Sequence, residues 1–390
     1  MVLTMKKILL INTKYRIKGG EDSNINQEIL DLKKNFEVEL LEFDNKKLEI
    51  MDIISFFIGS NVTSNRILNK KLDEFNPDYA YIHNTWFKAG LGIFKVLIKK
   101  NIPVYLKLHN FRYDCTKSFS ALSHLKGLEQ CPKCGFTRNK GYFFNKYFTD
   151  SYLKSFFIIL YGKKYIKYVK RYPKKVLVLT NFHKERLIYD QMAPSQVAVS
   201  VNPFNLDISD TNFYNPNSKF ILYAGMLSDS KGVEELIEAY LNSNLVDVNL
   251  KIIGSGPRED YLKKKFNNQK IEFLGQIDNK TTLNYILSAR CIVTATKMYE
   301  GQPRLLTEAS YLGVPSIFPK FGGMGEFFPK NYELVFKQYD YEDLTKKINL
   351  LDNTKHLVDI SRDVKKHIQD VLNLYNKQKE NLFLWKTKIL

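Results

Sequence analysis

Two carboxylates eight positions apart, Glu300 and Glu308, stand in the stretch MYEGQPRLLTEASYLGVPSIF (Met298 to Phe318). Pro303 suits the first position of a helix, where a missing N–H costs nothing. The apolar spacing of Leu305, Leu306, Ala309 and Leu312 continues that helix. Gly313 fits just past its end, and Pro315 prevents continuation. The amides of Arg304, Leu305 and Leu306 are then free at a helix start, which carries partial positive charge and suits a phosphate. Glu300, in the loop before, could hold hydroxyls of a group beyond the phosphate. Glu308, one turn further in, could hold a ribose diol. On spacing alone the plainer reading, a surface loop glutamate and a helix glutamate, is the better one, because short motifs recur by chance.

The elements around this stretch decide between the two. Short apolar runs alternate with longer amphipathic ones: KILLIN, then NINQEILDLKKNF, EVELLEF, DYAYIH, GLGIFKVLIKK, PVYLKLH, KKVLVLT and QVAVSV. Such alternation predicts a parallel sheet with crossover helices. The pattern pauses at NPFNLDISDTNFYNPNS (Asn202 to Ser218), which reads as a linker. A second series follows: KFILYAG, KGVEELIEAYL, NLKIIGSG, REDYLKKKF, IEFLGQ, CIVTAT and PSIFP. The chain therefore reads as α/β, with two doubly wound Rossmann-like domains. Their expected bounds are 1–203 and 204–370, with a final helix over 371–390. In such sheets ligands bind at the carboxyl ends of the strands, and two facing sheets would enclose a cleft.

The order of motifs along the chain resembles the retaining glycosyltransferases of glycosyltransferase family 4, which have the GT-B fold. Their Glu-x7-Glu signature stands here as EGQPRLLTEASYLGVP. KGGED (Lys18 to Asp22) is similar to the family's glycine-rich loop after the first strand, and LHNFR (Leu108 to Arg112) to its histidine motif. YAGMLSDSKGVEELIEAY, IIGSGPRED and FGGMGEFF fall where the family has comparable turns. Each motif is weak alone, but the order covers most of the chain.

The resemblance implies a sugar transferred from a nucleotide-sugar donor, a UDP- or GDP-sugar, to a glycan or lipid-linked acceptor in bacterial surface polysaccharide synthesis. It implies Lys231 at the diphosphate, Glu300 at the donor sugar, Glu308 at the ribose and His109 beside the sugar. Gly19, Gly20, Gly225 and Gly301 would let backbone approach the donor, together with Arg304, Leu305 and Leu306. It implies front-face attack with retention, in which a donor phosphate oxygen takes the acceptor's proton. It also implies no divalent metal, and no Asp-x-Asp metal motif is apparent in a suitable turn. The final helix is expected to return to the first domain, anchored by Trp385. One residue departs from the family: Met226 stands where an arginine is common. Arg304, Lys297 or Lys320 would have to supply that cation. Met226 also motivates a second reading, a non-catalytic GT-B-fold scaffold subunit of a glycan assembly complex. An epimerase on the same fold is a third, but no acid/base pair for it can be named.

Composition sets the remaining bounds. The 390 residues are 44% hydrophobic and 14% aromatic, which is no disordered composition. The net charge is +18, and between Lys95 and Arg186 there are 21 Lys and Arg against 4 acidic residues. Such an excess favours anionic partners. FFNKYFTDSYLKSFFIILYGKKYIKYVKRYPKK (Phe143 to Lys175) mixes aromatics and lysines. It reads equally as a basic surface for anionic lipid or as a core helix with a solvated lysine face. No nucleic-acid motif is present, so nucleic acid is not an expected partner. Cys115, Cys131 and Cys134, with His124 between them, offer four ligands for zinc, but a reduced structural loop is the better reading. Four cysteines, no signal-peptide core and no long apolar run place the chain in the cytoplasm, or on the inner face of the membrane.

Overall fold

A computed structural model describes residues 5–14, 20–47, 52, 54–55, 58–111, 152–203, 214–298 and 300–387, the side chains of 375–387 and of several residues near other gaps excepted. The described residues fall into two compact units, one ending by 203 and the other starting from 214.

The first unit holds a six-stranded sheet: β1 (Lys7–Lys14), β2 (Glu37–Asp44), β3 (Tyr79–Ile82), β4 (Val104–Leu108), β5 (Lys175–Val178) and β6 (Val197–Val199). Its order is β2-β1-β3-β4-β5-β6, and every pairing is parallel. Parallel strands are covered on both faces, which is why KILLINTK and VYLKL are unbroken buried runs rather than alternating ones. Five described helices connect them: α1 (Gly20–Lys33), α2 (Val62–Phe75), α3 (Gly92–Lys99), α4 (Tyr152–Arg171) and α5 (Asn181–Tyr189). Asn61 caps α2 by accepting from the Ser64 amide at 3.1 Å, and Thr180 caps α5 through the His183 amide. The core lies around Leu9, Ile11, Ile82, Phe94 and Leu106, all at most 1% exposed.

The aromatic side of α4 belongs to this core. Tyr161 and Tyr165 pack tilted against Trp86 at 5.0 and 5.6 Å between ring centres, and Tyr168 meets Phe94 edge-on at 6.0 Å. Tyr161 and Tyr165 are buried, and Tyr168 is half-buried. Residues 143–151 lie outside the described residues.

The second unit repeats the plan with β7 (Phe220–Ala224), β8 (Asn249–Ile253), β9 (Ile271–Gly275), β10 (Ile292–Val293), β11 (Ser316–Pro319) and β12 (Val335–Phe336), in the order β12-β11-β10-β7-β8-β9. All pairings are again parallel. Its helices are α6 (Val233–Leu241), α7 (Glu259–Lys265), α8 (Asn279–Ser288), α9 (Arg304–Tyr311), α10 (Tyr341–Asn349) and α11 (Thr354–Thr387). Asp278 and Asp340 cap α8 and α10. Both α/β sheets expected from the sequence are present.

The chain order locates the ligand side of each sheet. In the second, the chain runs outward from β7 through β8 and β9, then crosses to β10, β11 and β12. The direction reverses between β7 and β10, and the ends of these strands are where such folds bind ligands. In the first sheet the reversal falls between β1 and β3. Trp385 and its expected anchoring role lie outside the described side chains. Among the described residues, no helix is long and apolar enough to cross a membrane.

Candidate active site

Lys231 reaches its position through a turn that only glycine permits. After β7 the chain passes Gly225 and Met226, then a short 3-10 turn over Asp229–Lys231. Gly232 follows in the left-handed region, φ +65°, and starts α6. A Cβ there would lie 2.0 Å from the Ala295 carbonyl oxygen, so the turn lies directly on the chain leaving β10. A backbone bond from the Lys297 amide to the Ser230 carbonyl, 2.9 Å, ties the two segments.

Glu300 comes to the same place from the other side of the reversal. Lys231 Nζ donates to Glu300 Oε1 at 2.5 Å. The Thr296 hydroxyl donates to the same oxygen at 3.5 Å. The Glu300 backbone is fixed by the loop after β11, where the Gly323 amide donates to its carbonyl at 2.9 Å. Gly322, at φ +72°, would put a Cβ 2.8 Å from that carbonyl. Gly301 is buried beside it. Glu300 also acts on Tyr223: burial first, then this carboxylate, holds the phenol well above its ordinary pKa. The Tyr223 hydroxyl donates to the Met226 carbonyl at 3.0 Å.

Helix α9 starts one residue later than expected. Pro303 is its cap, with ψ 121°, an extended value that defers the helix to Arg304. The first helical bond runs from the Thr307 amide to the Pro303 carbonyl, 3.0 Å. The amides of Arg304, Leu305 and Leu306 precede it, so no helical carbonyl is available to them. Glu308 is buried on the second turn, 6% exposed. Burial raises its carboxyl above the usual range, and Arg304 opposes that. The Arg304 Nε donates to Glu308 Oε1 at 2.6 Å, and its Nη2 donates to Asn279 Oδ1 at 2.9 Å.

The second unit thus brings together Gly225, Lys231, Glu300, Gly301, Arg304, Leu305, Leu306 and Glu308. Met226 is 42% exposed at the same turn. Of the three cations named in its place, Lys297 pairs with Glu235 on α6 and is anchored next to the Lys231 turn. Arg304 is engaged by Glu308 and Asn279, and Lys320 is exposed beyond β11. Sequence reasoning passed over Thr296, Glu235 and Asn279, because hydrogen-bonding partners on separate elements leave no spacing signal.

His109 ends β4 in the first unit. Its Nε2 lies 2.8 Å from Nδ1 of His83, which ends β3. Burial foremost pushes both histidines down, His83 to about 4 and His109 well below its ordinary value. His183 is buried against Phe111 at 4.3 Å between ring centres and is pushed down to about 3 by burial. Asn84 Nδ2 donates to the Thr13 carbonyl at 2.7 Å, joining the ends of β1 and β3 where this sheet reverses. Gly19 lies outside the described residues, and Gly20 begins α1. Cys115, His124, Cys131 and Cys134 also lie outside. Cys291 is buried, with its thiol pushed up by burial. Among the described residues, no group of three His, Cys, Asp or Glu is placed to hold a metal.

Lys231 and Glu300 thus meet at the sheet reversal of a Rossmann-like unit, before a helix start. The family model for glycosyl transferases group 1 matches residues 207–367. This stretch resembles that family. The match contains Lys231, Glu300 and Glu308. Protein CapJ of Staphylococcus aureus is 31% identical over 157 residues, 38% of each chain. The putative teichuronic acid biosynthesis glycosyltransferase TuaC of Bacillus subtilis is 30% identical over 132 residues, 34% of this chain and 32% of TuaC. The chain thus spans about a third of the length of these curated relatives. The structure of Anabaena HepE in complex with UDP and glucose superposes with a TM-score of 0.66 at 14% identity, over 97% of this chain and 99% of HepE. The two six-stranded parallel sheets and their helices have the GT-B fold.

Proposed function

We propose that the protein is a retaining glycosyltransferase that moves a sugar from a UDP- or GDP-sugar to a glycan or lipid-linked acceptor in bacterial surface polysaccharide synthesis, without a divalent metal. The observation that carries this is the Lys231–Glu300 pair, 2.5 Å apart beside the open amides of α9. Breaking the sugar–phosphate bond places negative charge on the leaving diphosphate. Preorganised positive groups stabilise that charge most when they need not reorganise. The Lys231 ammonium and the amides of Arg304, Leu305 and Leu306 are such groups. As the diphosphate draws Lys231, Glu300 is released to accept from hydroxyls of the sugar. Glu308, with one oxygen taken by Arg304, has the other for the ribose. A donor phosphate oxygen takes the acceptor's proton, so no protein nucleophile is needed. In this reading the second unit takes the nucleotide sugar, and the first takes the acceptor.

The name of TuaC and the UDP in the HepE structure support the donor class and the surface-glycan role. The test is transfer by purified protein from a panel of nucleotide sugars to lipid-linked acceptors, with the product's anomeric configuration read by NMR. Retained configuration and an unchanged rate in EDTA are expected. An inverted product would remove the retaining assignment, and a rate lost to EDTA the metal-free one. The second reading that Met226 motivates, a scaffold subunit that keeps the fold, is not favoured by the relatives. It requires that no nucleotide sugar binds.

A further inference from the structure

Behind His109, the first unit buries a continuous polar chain. Lys107 stands mid-strand in β4 and is fully buried. Its Nζ donates to Glu28 Oε2 on α1 at 2.8 Å. The Tyr81 hydroxyl on β3 donates to Glu28 Oε1 at 2.6 Å. The same Glu28 Oε2 faces His83 Nε2 at 3.9 Å, an electrostatic contact too long for a hydrogen bond. The His83 Nδ1 and His109 Nε2 share one proton at 2.8 Å, their rings stacked 5.0 Å apart. At the end of the chain, His109 Nδ1 is buried with no hydrogen-bond partner among the described residues.

Two neutral imidazoles joined by one N···N bond have two arrangements, since either ring can donate. The groups at the outer nitrogens decide. Glu28 is held ionised against the cost of its burial by Lys107 foremost, with the Tyr81 hydroxyl donating to it. A carboxylate only accepts, so it favours an N–H rather than a lone pair on the His83 Nε2 that faces it. Lys107 acts on His83 in the opposite sense, but more weakly than Glu28. His183, the other titratable neighbour of His109, is neutral through the same burial. A neutral His83 with its proton on Nε2 has only a lone pair at Nδ1. His109 must then donate from Nε2, and its own Nδ1 is left bare.

We propose that Glu28 is a positioning residue acting through His83 to fix His109 as the Nε2–H tautomer, so that any group reaching His109 Nδ1 must donate. The functional weight of this rests on the proposed function, in which a sugar hydroxyl is the donating group. The tautomer itself does not depend on that function.

The experiment is two-bond 1H–15N NMR on the full chain with 15N-labelled histidine at pH 7.5. The His109 signals are assigned by their loss in His109→Asn. The wild type is expected to show His83 and His109 both protonated at Nε2. In the Glu28→Gln/Lys107→Met double variant, both buried charges are removed together, which keeps the fold where breaking one partner would not. There the preference for Nε2–H on His109 is expected to fall from roughly ten to one or better to near parity, a loss of at least about 1.4 kcal/mol of bias. A wild-type His109 protonated at Nδ1 would overturn the proposal without any variant. So would a folded double variant with unchanged tautomers. Because the readout is spectral, failure of the donor assignment would leave it standing.

Discussion

At the residue scale, Lys231 and Glu300 hold each other, and the same two groups are proposed to part when a donor enters. Met226 is the residue that tests how much positive charge the diphosphate needs. Its side chain is exposed at the turn that carries Lys231, and Lys297 beside it is already paired with Glu235. Met226→Arg adds a guanidinium able to make charge-assisted bonds to phosphate, each contributing roughly 1.5–3 kcal/mol. The expected outcome is donor affinity tightened roughly tenfold, measured by calorimetry. Unchanged affinity would place position 226 away from the diphosphate. Lys231→Ala is expected to lower the transfer rate by roughly 10²–10³-fold, as loss of one preorganised transition-state donor does, with a smaller change in donor affinity. Steady-state kinetics checks this, and weakened affinity with an unchanged rate at saturating donor would mean Lys231 serves binding alone.

At the element scale, turns and strand ends matter more than helix interiors. Gly232 is required both by its φ of +65° and by the Ala295 carbonyl against it. Gly232→Ala is expected to cost about 1–2 kcal/mol for the left-handed conformation alone, and more for the contact. Melting should fall by at least roughly 4 °C, and unchanged melting would contradict the close contact. The strands were legible in the sequence because parallel strands are continuous apolar runs, and KILLIN and KFILYAG map onto β1 and β7 within two residues. CIVTAT was legible as a strand but pairs only at Ile292 and Val293, because its later residues turn toward Glu300. The Glu-x7-Glu stretch was legible because one helix and its loop carry both residues. The Glu28–Lys107–His83–His109 chain was not, since its members come from one helix and two strands far apart in sequence. The one local signal was a lysine inside the apolar run PVYLKLH.

At the scale of the whole molecule, the buried histidines set how the fold responds to acid. His83 and His183 have folded pKa values near 4 and 3, below the ordinary 6.5, and His109 is lowered as well. A lowered folded pKa means that the unfolded chain binds the proton first as pH falls. Their contribution is therefore complete above about pH 6.5 and is lost progressively below it. Each histidine gives a slope of about 1.4 kcal/mol per pH unit within its window. Glu28, also lowered, adds to the loss below about pH 4.5, its ordinary value. Chemical unfolding midpoints should be flat from pH 8 to 7 and fall steadily from 6.5 to 5. Flat midpoints down to pH 5 would contradict the neutral buried histidines.

The claim on which the rest depends is that the second unit holds a nucleotide sugar through Lys231, Glu300 and Glu308. Calorimetric titration of the purified chain with UDP- and GDP-sugars, beside the corresponding nucleoside diphosphates and repeated on Glu300→Ala, tests it most directly. One nucleotide sugar is expected to bind the wild type more tightly than its free diphosphate. In Glu300→Ala that advantage should vanish while the diphosphate still binds. No binding by any member of the panel, or an unaltered sugar preference in Glu300→Ala, would contradict the account.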